Sequence, residues 1–197
     1  MQTKKEEIKN DIIKAATREF LYKGYNKSSL RTIAKKANTT LGNVYNYFEN
    51  KEAILDSIVD GIPEKVSNII NLHNNFKVDE SILTRENSKE YMDMLFEELF
   101  PLDILLNDAF VILLEGCEGT KFEKYKQEFT KLFSNHVADH LKVDKESFLP
   151  KAFSQGAISA FVMIVKNKKS FEEKKHDLRE YILTMALGLP VIKNNVL

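Results

Sequence analysis

Between Thr40 and Tyr47 the chain reads TLGNVYNY, which places amides, hydroxyls, phenols and flat rings within two turns of a possible helix. Asparagine can pair with nucleic-acid base edges, and hydroxyls and phenols can hold phosphates. Only Val44 and Phe48, spaced i and i+4, look like core. Gly42 falls in the first turn, where glycine costs roughly 1 kcal/mol relative to alanine, so close approach of another surface is the expected compensation. Lys51 follows Asn50, a natural cap for the next helix. A cation in a first turn opposes the helix dipole, and a bound phosphate would remove that conflict. The expected roles follow. Asn43, Tyr45 and Asn46 face base edges; Thr40, Tyr47 and Lys51, with Ser29 and Arg31, hold phosphates; Leu41 and Gly42 complete the surface.

Two short helices would have to position these groups. Ser28 or Ser29 can cap the first, because a hydroxyl accepts from N–H groups that lack a partner in the opening turn. Leu30, Ile33, Ala34 and Ala37 give it a narrow apolar face. Asn38 readily takes the left-handed conformation that ends a helix, and Thr39 or Thr40 can cap a second one running Leu41 to Phe48. That spacing is helix-turn-helix. Ahead of it, a helix over about Lys4 to Tyr22 buries Ile8, Ile12, Ala15, Ala16 and Phe20, and Lys23 and Gly24 finish it. Tyr25 reads as a packing residue at the junction.

Residues 5–55 resemble the DNA-binding domain of TetR-family transcriptional regulators. A first helix ends FLYKGYNKSS and is followed by LRTIAKKANTTLGNVYNYFENKEAIL. The family pattern is a small residue, then Ser or Thr, Gly, a polar residue, an aliphatic, Tyr, Tyr or His, Phe and shortly afterwards Lys-Glu. It is met by Asn38 and by Thr40 through Glu52. Asn38 stands where glycine is common, and Leu41 where a lysine or another polar residue is frequent. The resemblance implies a three-helix DNA-binding domain over 1–50, and a C-terminal helical bundle over 51–197 for ligand binding and dimerisation. The whole would be all-α with about nine helices.

Composition fits that expectation. Charge sums to zero, but residues 1–52 hold 11 Lys or Arg against 6 Asp or Glu, a balance of +5 that leaves −5 for the remainder. A basic head on an acidic body suits a polyanion at one end. Seven Gly and four Pro favour long helices. A single cysteine, Cys117, excludes an intrachain disulfide and a cysteine-based zinc cluster. The charged opening MQTKKEEIKND has no apolar signal region, and the longest apolar or small run, Gly156 to Val165, is short for a membrane span, so a cytoplasmic location with no membrane is expected.

Beyond Lys51 one helix is expected to about His73, interrupted by Gly61 and Pro63; in the family this helix bridges the two domains, so the interruption is a candidate hinge. A loop from Asn74 to Asn87 and a helix from Ser88 to Phe100 follow, then one from Pro101 ended by Gly116 and Gly119. Another runs about Thr120 to Lys142, and two very apolar ones cover about Lys145 to Asn167 and Phe171 to Leu189. Met92, Phe96, Asp103, Phe110, Phe129 and Phe133 are the candidate lining of an effector cavity, where a carboxylate would favour a cationic ligand. His136 and His140 continue the Phe129 and Phe133 face, without an HExxH pattern, and no metal or cofactor is expected.

Apolar character nearly all round residues 157–165 suggests a partner chain, and the resemblance implies a homodimer through the last two helices. A two-fold dimer reads two related half-sites of double-stranded operator DNA. The expected function is therefore a regulator, most simply a repressor released by an unidentified small-molecule effector. An enzyme is not expected, for there is no phosphate loop, GxSxG elbow or metal triad. The alternative is a helical DNA-binding or adaptor protein without effector control.

Overall fold

The computed structural model describes residues 2–75, 93, 102–167 and 169–195. Among these the protein is all-α and has no strand. The helices are α1 (Gln2–Lys27), α2 (Leu30–Lys36), α3 (Leu41–Val44), α4 (Lys51–Val59), α5 (Ile62–Asn75), α6 (Leu102–Leu105), α7 (Asp108–Val111), α8 (Lys124–Leu141), α9 (Phe148–Lys166) and α10 (Phe171–Asn195). A π-helical turn, Ile112–Gly116, continues α7. Apart from Asp93, the helix expected over Ser88 to Phe100 lies outside the described residues, as does the expected loop beyond Asn75. Two compact units divide the chain: Met1–Pro63 with Asp108–Lys126, and Glu64–Asn107 with Gln127–Leu197.

The first unit is built around α1, which packs on α2, α4, α7 and the π turn. Its helical path breaks at Gly24, at φ 76° and ψ 163°, where the sequence places the stop, and one further turn carries it to Lys27. Ile12, Ala16 and Phe20 from α1, Ile33 from α2, Val44 from α3 and Ile54 and Leu55 from α4 have no exposed surface and make the core. The larger of these side chains contribute about 1.5–3 kcal/mol each on burial, which is what holds helices as short as α2 and α3. The π turn adds Ile112, Leu113 and Leu114. Its Gly116 lies so near α1 that a Cβ there would stand 3.2 Å from the Phe20 carbonyl oxygen. The continuous helix expected from Pro101 to Gly116 is thus three pieces, α6, α7 and the wider turn.

The interruption after α4 is a complete break. Asp60 leaves the helix, Gly61 takes φ 68°, which costs a residue with a Cβ about 1–2 kcal/mol, and α5 begins anew at Ile62. Pro63 falls in the first turn of α5, where its missing N–H has no partner to lose. It starts a helix rather than kinking one, which corrects the expectation of a single interrupted helix.

Among the described residues Glu19 is the one charged residue with a fully buried side chain, and it ties α1 to α2 by an ion pair with Lys36; Lys23 lies 3.1 Å away. Burial pushes its carboxyl up, but the two ammonium groups more than offset this and hold it below its ordinary value of 4.5. A carboxylate with a depressed folded-state pKa contributes stability that is present above the ordinary value and lost as pH falls through the folded one. The protein should therefore weaken as pH drops below about 4.5. Glu19→Gln should remove part of that acid dependence while lowering stability at neutral pH; urea midpoints across the acid range check this, and parallel curves for the two proteins would contradict it.

In the second unit, α9 packs on α10. α8 buries Ser134, Val137, Ala138 and Leu141, and α9 buries Ser154, Ala157, Ile158, Phe161, Val162 and Val165. The other side of α9 is an uncovered stripe: Phe148, Ala152, Gly156, Ser159 and Met163 are all exposed. By length and composition alone α9 could cross a membrane, a test that core helices of soluble proteins also pass.

Candidate nucleic-acid interface

The reading surface is assembled by three side-chain caps. Ser29 Oγ accepts from Thr32 N at 3.2 Å and opens α2; Thr40 Oγ1 accepts from Asn43 N at 3.1 Å and opens α3; Asn50 Oδ1 accepts from Ala53 N at 2.8 Å and opens α4. Between α2 and α3 the chain turns on Asn38, at φ 51°. Each satisfies a backbone donor or a conformation the sequence singled out, so the helix-turn-helix geometry is locally encoded.

α3 is shorter than expected, ending at Val44 instead of Phe48. After it the backbone tightens: Asn46 N donates to Asn43 O and Tyr47 N to Val44 O, both i to i−3, before Phe48 N returns to Val44 O. The asparagines compete for local hydrogen bonds, which weakens a helix interior. Asn46 Nδ2 donates to Asn43 Oδ1 at 3.2 Å, and Asn43 Nδ2 donates to Thr39 Oγ1 at 2.8 Å. These bonds hold the two amides side by side and leave each with unused donors and acceptors.

Val44 and Phe48 are buried, as their spacing demands, and the remainder faces outward. Thr40, Gly42 and Asn46 are exposed, Tyr45 is 53% exposed, and Leu41, Asn43 and Tyr47 are half-buried. Ser29 and Arg31 lie exposed at the start of α2. A Cβ built on Gly42 would meet nothing of the protein within 4 Å. Among the described residues, therefore, no close neighbour accounts for the glycine.

Lys51 turns toward the end of α1. Its Nζ donates to the carbonyls of Tyr25 at 2.6 Å and Ser28 at 3.0 Å, and lies 3.9 Å from the centroid of the Tyr25 ring. Burial pushes the ammonium pKa down. The conflict with the α4 dipole is relieved by these two carbonyls, where a phosphate had been expected. Nothing in the sequence signals the carbonyls, because their position depends on how α1 ends.

The effector candidates scatter. Met92 and Phe96 lie outside the described residues, and Asp103 is described only as a backbone position in α6. Phe110 is 3% exposed and belongs to the core of the first unit. Phe129 and Phe133 do come together, with rings 6.3 Å apart and 13° from parallel; His136 stacks on Phe133 at 6.2 Å and meets His140 edge-on at 4.4 Å. Sequence reasoning missed Ser134 and Ser154, whose hydroxyls are buried with no hydrogen-bond partner among the described residues.

Comparison with known proteins finds similarity over this head. The N-terminal model of the bacterial regulatory proteins, tetR family, matches residues 12–58. The head is similar to the tetR-family domain over this stretch. The matched stretch begins at the buried Ile12 of α1 and takes in α2, α3 and α4 as far as Ile58, including all three caps. YhgD, an HTH-type transcriptional regulator of Bacillus subtilis (strain 168), is 40% identical over 47 residues, 24% of this chain and 25% of that one. The fatty acid metabolism regulator protein of Bacillus subtilis (strain 168) is 33% identical over 91 residues, 46% of this chain and 43% of that one. These matches thus span a quarter to under half of the length of either relative. A solved transcriptional regulator (TerR/AcrR family) of Aquifex aeolicus VF5 aligns over 90% of this chain and 99% of its own, at 18% identity and a TM-score of 0.44.

Proposed function

We propose that the protein is a dimeric DNA-binding transcriptional regulator, most simply a repressor released from a near-palindromic operator by a small molecule. The observation that carries this reading is the outward surface of Thr40–Tyr47 on a capped helix-turn-helix, with open space over Gly42. Asn43, Tyr45 and Asn46 face base edges, and Leu41 and Gly42 lie against the groove wall. Thr40, Tyr47, Ser29 and Arg31 hold phosphates. One such head reads few base pairs, so two copies related by a two-fold axis fit the task. The exposed stripe of α9, with Ala152, Gly156 and Ser159 between Phe148 and Met163, suits a second copy of the same helix pair. The Phe129 and Phe133 pair and the unpartnered Ser134 and Ser154 hydroxyls support an effector site in the second unit. The effector acts by differential affinity for the two dimer states, since equal affinity would shift nothing. As a DNA-bound regulator without enzymatic activity, it works in the cytoplasm.

A gel-shift titration on the DNA upstream of its own gene, repeated with a metabolite and drug panel, tests the reading. A specific shift that the panel reverses is the expected result. No shift at low salt overturns the DNA reading, and a shift indifferent to every compound leaves a DNA-binding protein without effector control. Gly42→Ala sharpens the test. Alanine favours the helix by up to about 1 kcal/mol and finds room in the free protein, so melting should rise while DNA affinity falls about tenfold. Unchanged affinity would mean that no duplex comes close to this turn.

A further inference from the structure

The end of α1, the cap of α2 and the start of α4 meet at one side chain. Gly24 breaks α1, so the carbonyls beyond it have no helical continuation to accept from. Ser28 partly closes this turn, its N donating to Tyr25 O at 3.1 Å and its Oγ to Gly24 O at 2.7 Å. The Ser28 carbonyl points the other way, into the Lys51 ammonium, which also reaches the Tyr25 carbonyl and rests on the Tyr25 ring. The next residue, Ser29, is the cap of α2. Lys51 itself is the first residue of α4, fixed by the Asn50 cap.

We infer that Lys51 is a positioning residue, whose ammonium fixes the α1 to α2 turn against α4 and so sets the angle of the reading head, without serving as a phosphate contact. The inference rests on the proposed DNA reading for its consequence, not for its geometry. Two of the three N–H donors are spent on carbonyls and the charge is half withdrawn from water over a ring, an arrangement that satisfies the cation internally. A lysine that neutralises a phosphate releases counterions and adds about 0.9 to the salt slope of binding. A lysine that holds the turn affects affinity equally at every salt concentration.

The experiment compares the full chain with Lys51→Met in two ways: titration on the upstream DNA between roughly 50 and 200 mM salt, and amide exchange in the DNA-free proteins. Affinity should fall about tenfold at every salt with the slope of log K against log salt unchanged. Exchange at Thr32 and Ile33, which bond to Ser29, should speed up while α9 keeps its wild-type rate. A slope lower by about 0.9 with unchanged exchange overturns the inference, as does wild-type affinity. If Lys51→Met does not fold, Lys51→Gln, which keeps a neutral donor, is read by the same criteria. The exchange comparison needs no DNA, so it decides the role of Lys51 even if the wild-type chain binds no fragment, a result that would strike the DNA reading instead.

Discussion

Val44→Asp should abolish DNA binding and lower the melting temperature by about 10 °C. Val44 has no exposed surface and is the residue through which α3 is pinned into the core of the head. An aspartate there is either an unpaired buried charge or a buried acid with no partner, and substitutions of that kind cost roughly 4 kcal/mol. For a chain of this size that is a loss of about 10 °C. Because α3 is only four residues long, it has no helical stability of its own to fall back on once its anchor is lost. A gel shift and a thermal melt on the same preparation check both limbs. Wild-type melting would show that Val44 is not in the core, and wild-type binding with a lowered melt would show that α3 is not the reading element. The neighbouring Tyr45→Ala, on the exposed side, should leave the melt within about 1 °C, since surface changes away from special contacts are worth under about 0.5 kcal/mol.

The double substitution Phe148→Glu and Met163→Glu should give a folded monomer whose affinity for a two-half-site operator is reduced at least about a hundredfold. Both side chains are largely exposed, so replacing them removes little from the protomer's own packing. In the proposed dimer they flank the small residues of the α9 stripe, where two glutamates from each copy would be buried in the interface. Linking two heads makes the second binding event intramolecular and raises overall affinity by about 10² to 10⁴ over one head. Sedimentation equilibrium reads the assembly and a titration on one and two half-sites reads the consequence. A double variant that remains dimeric would place the interface elsewhere, and a monomer with full operator affinity would show that pairing of heads is not how the site is read.

What the sequence makes legible here is short in range. Ser29, Thr40 and Asn50 cap the helices their hydroxyls and amides were expected to cap, and Asn38 takes the left-handed turn, because each depends on neighbours within four residues. The buried pair Val44 and Phe48 is equally local. Lys51 could not be read this way: whether its ammonium turns outward or onto Tyr25 and Ser28 is decided by residues 23 to 26 positions earlier. The inclusion of Asp108–Lys126 in the same unit as the head has the same cause, since it rests on Gly116 meeting the Phe20 backbone and on Lys121 bridging to Asp56 at 2.8 Å across 65 residues. Pro63 was misread for another reason. Proline is tolerated in a first turn and disruptive in a helix interior, and Gly61 two residues before it decides which applies.

The five residues Ile112–Gly116 close a ring one atom group wider than their neighbours do, which amounts to a single surplus amino acid in the coil. Were these five residues to rewind at 3.6 residues per turn with none removed, Cys117 through Lys121 would rotate by about 100° about the axis. A side chain would then occupy the place where Gly116 now touches the Phe20 carbonyl, and Lys121 would leave Asp56. The width of this turn is therefore what keeps its far end in contact with the first and fourth helices.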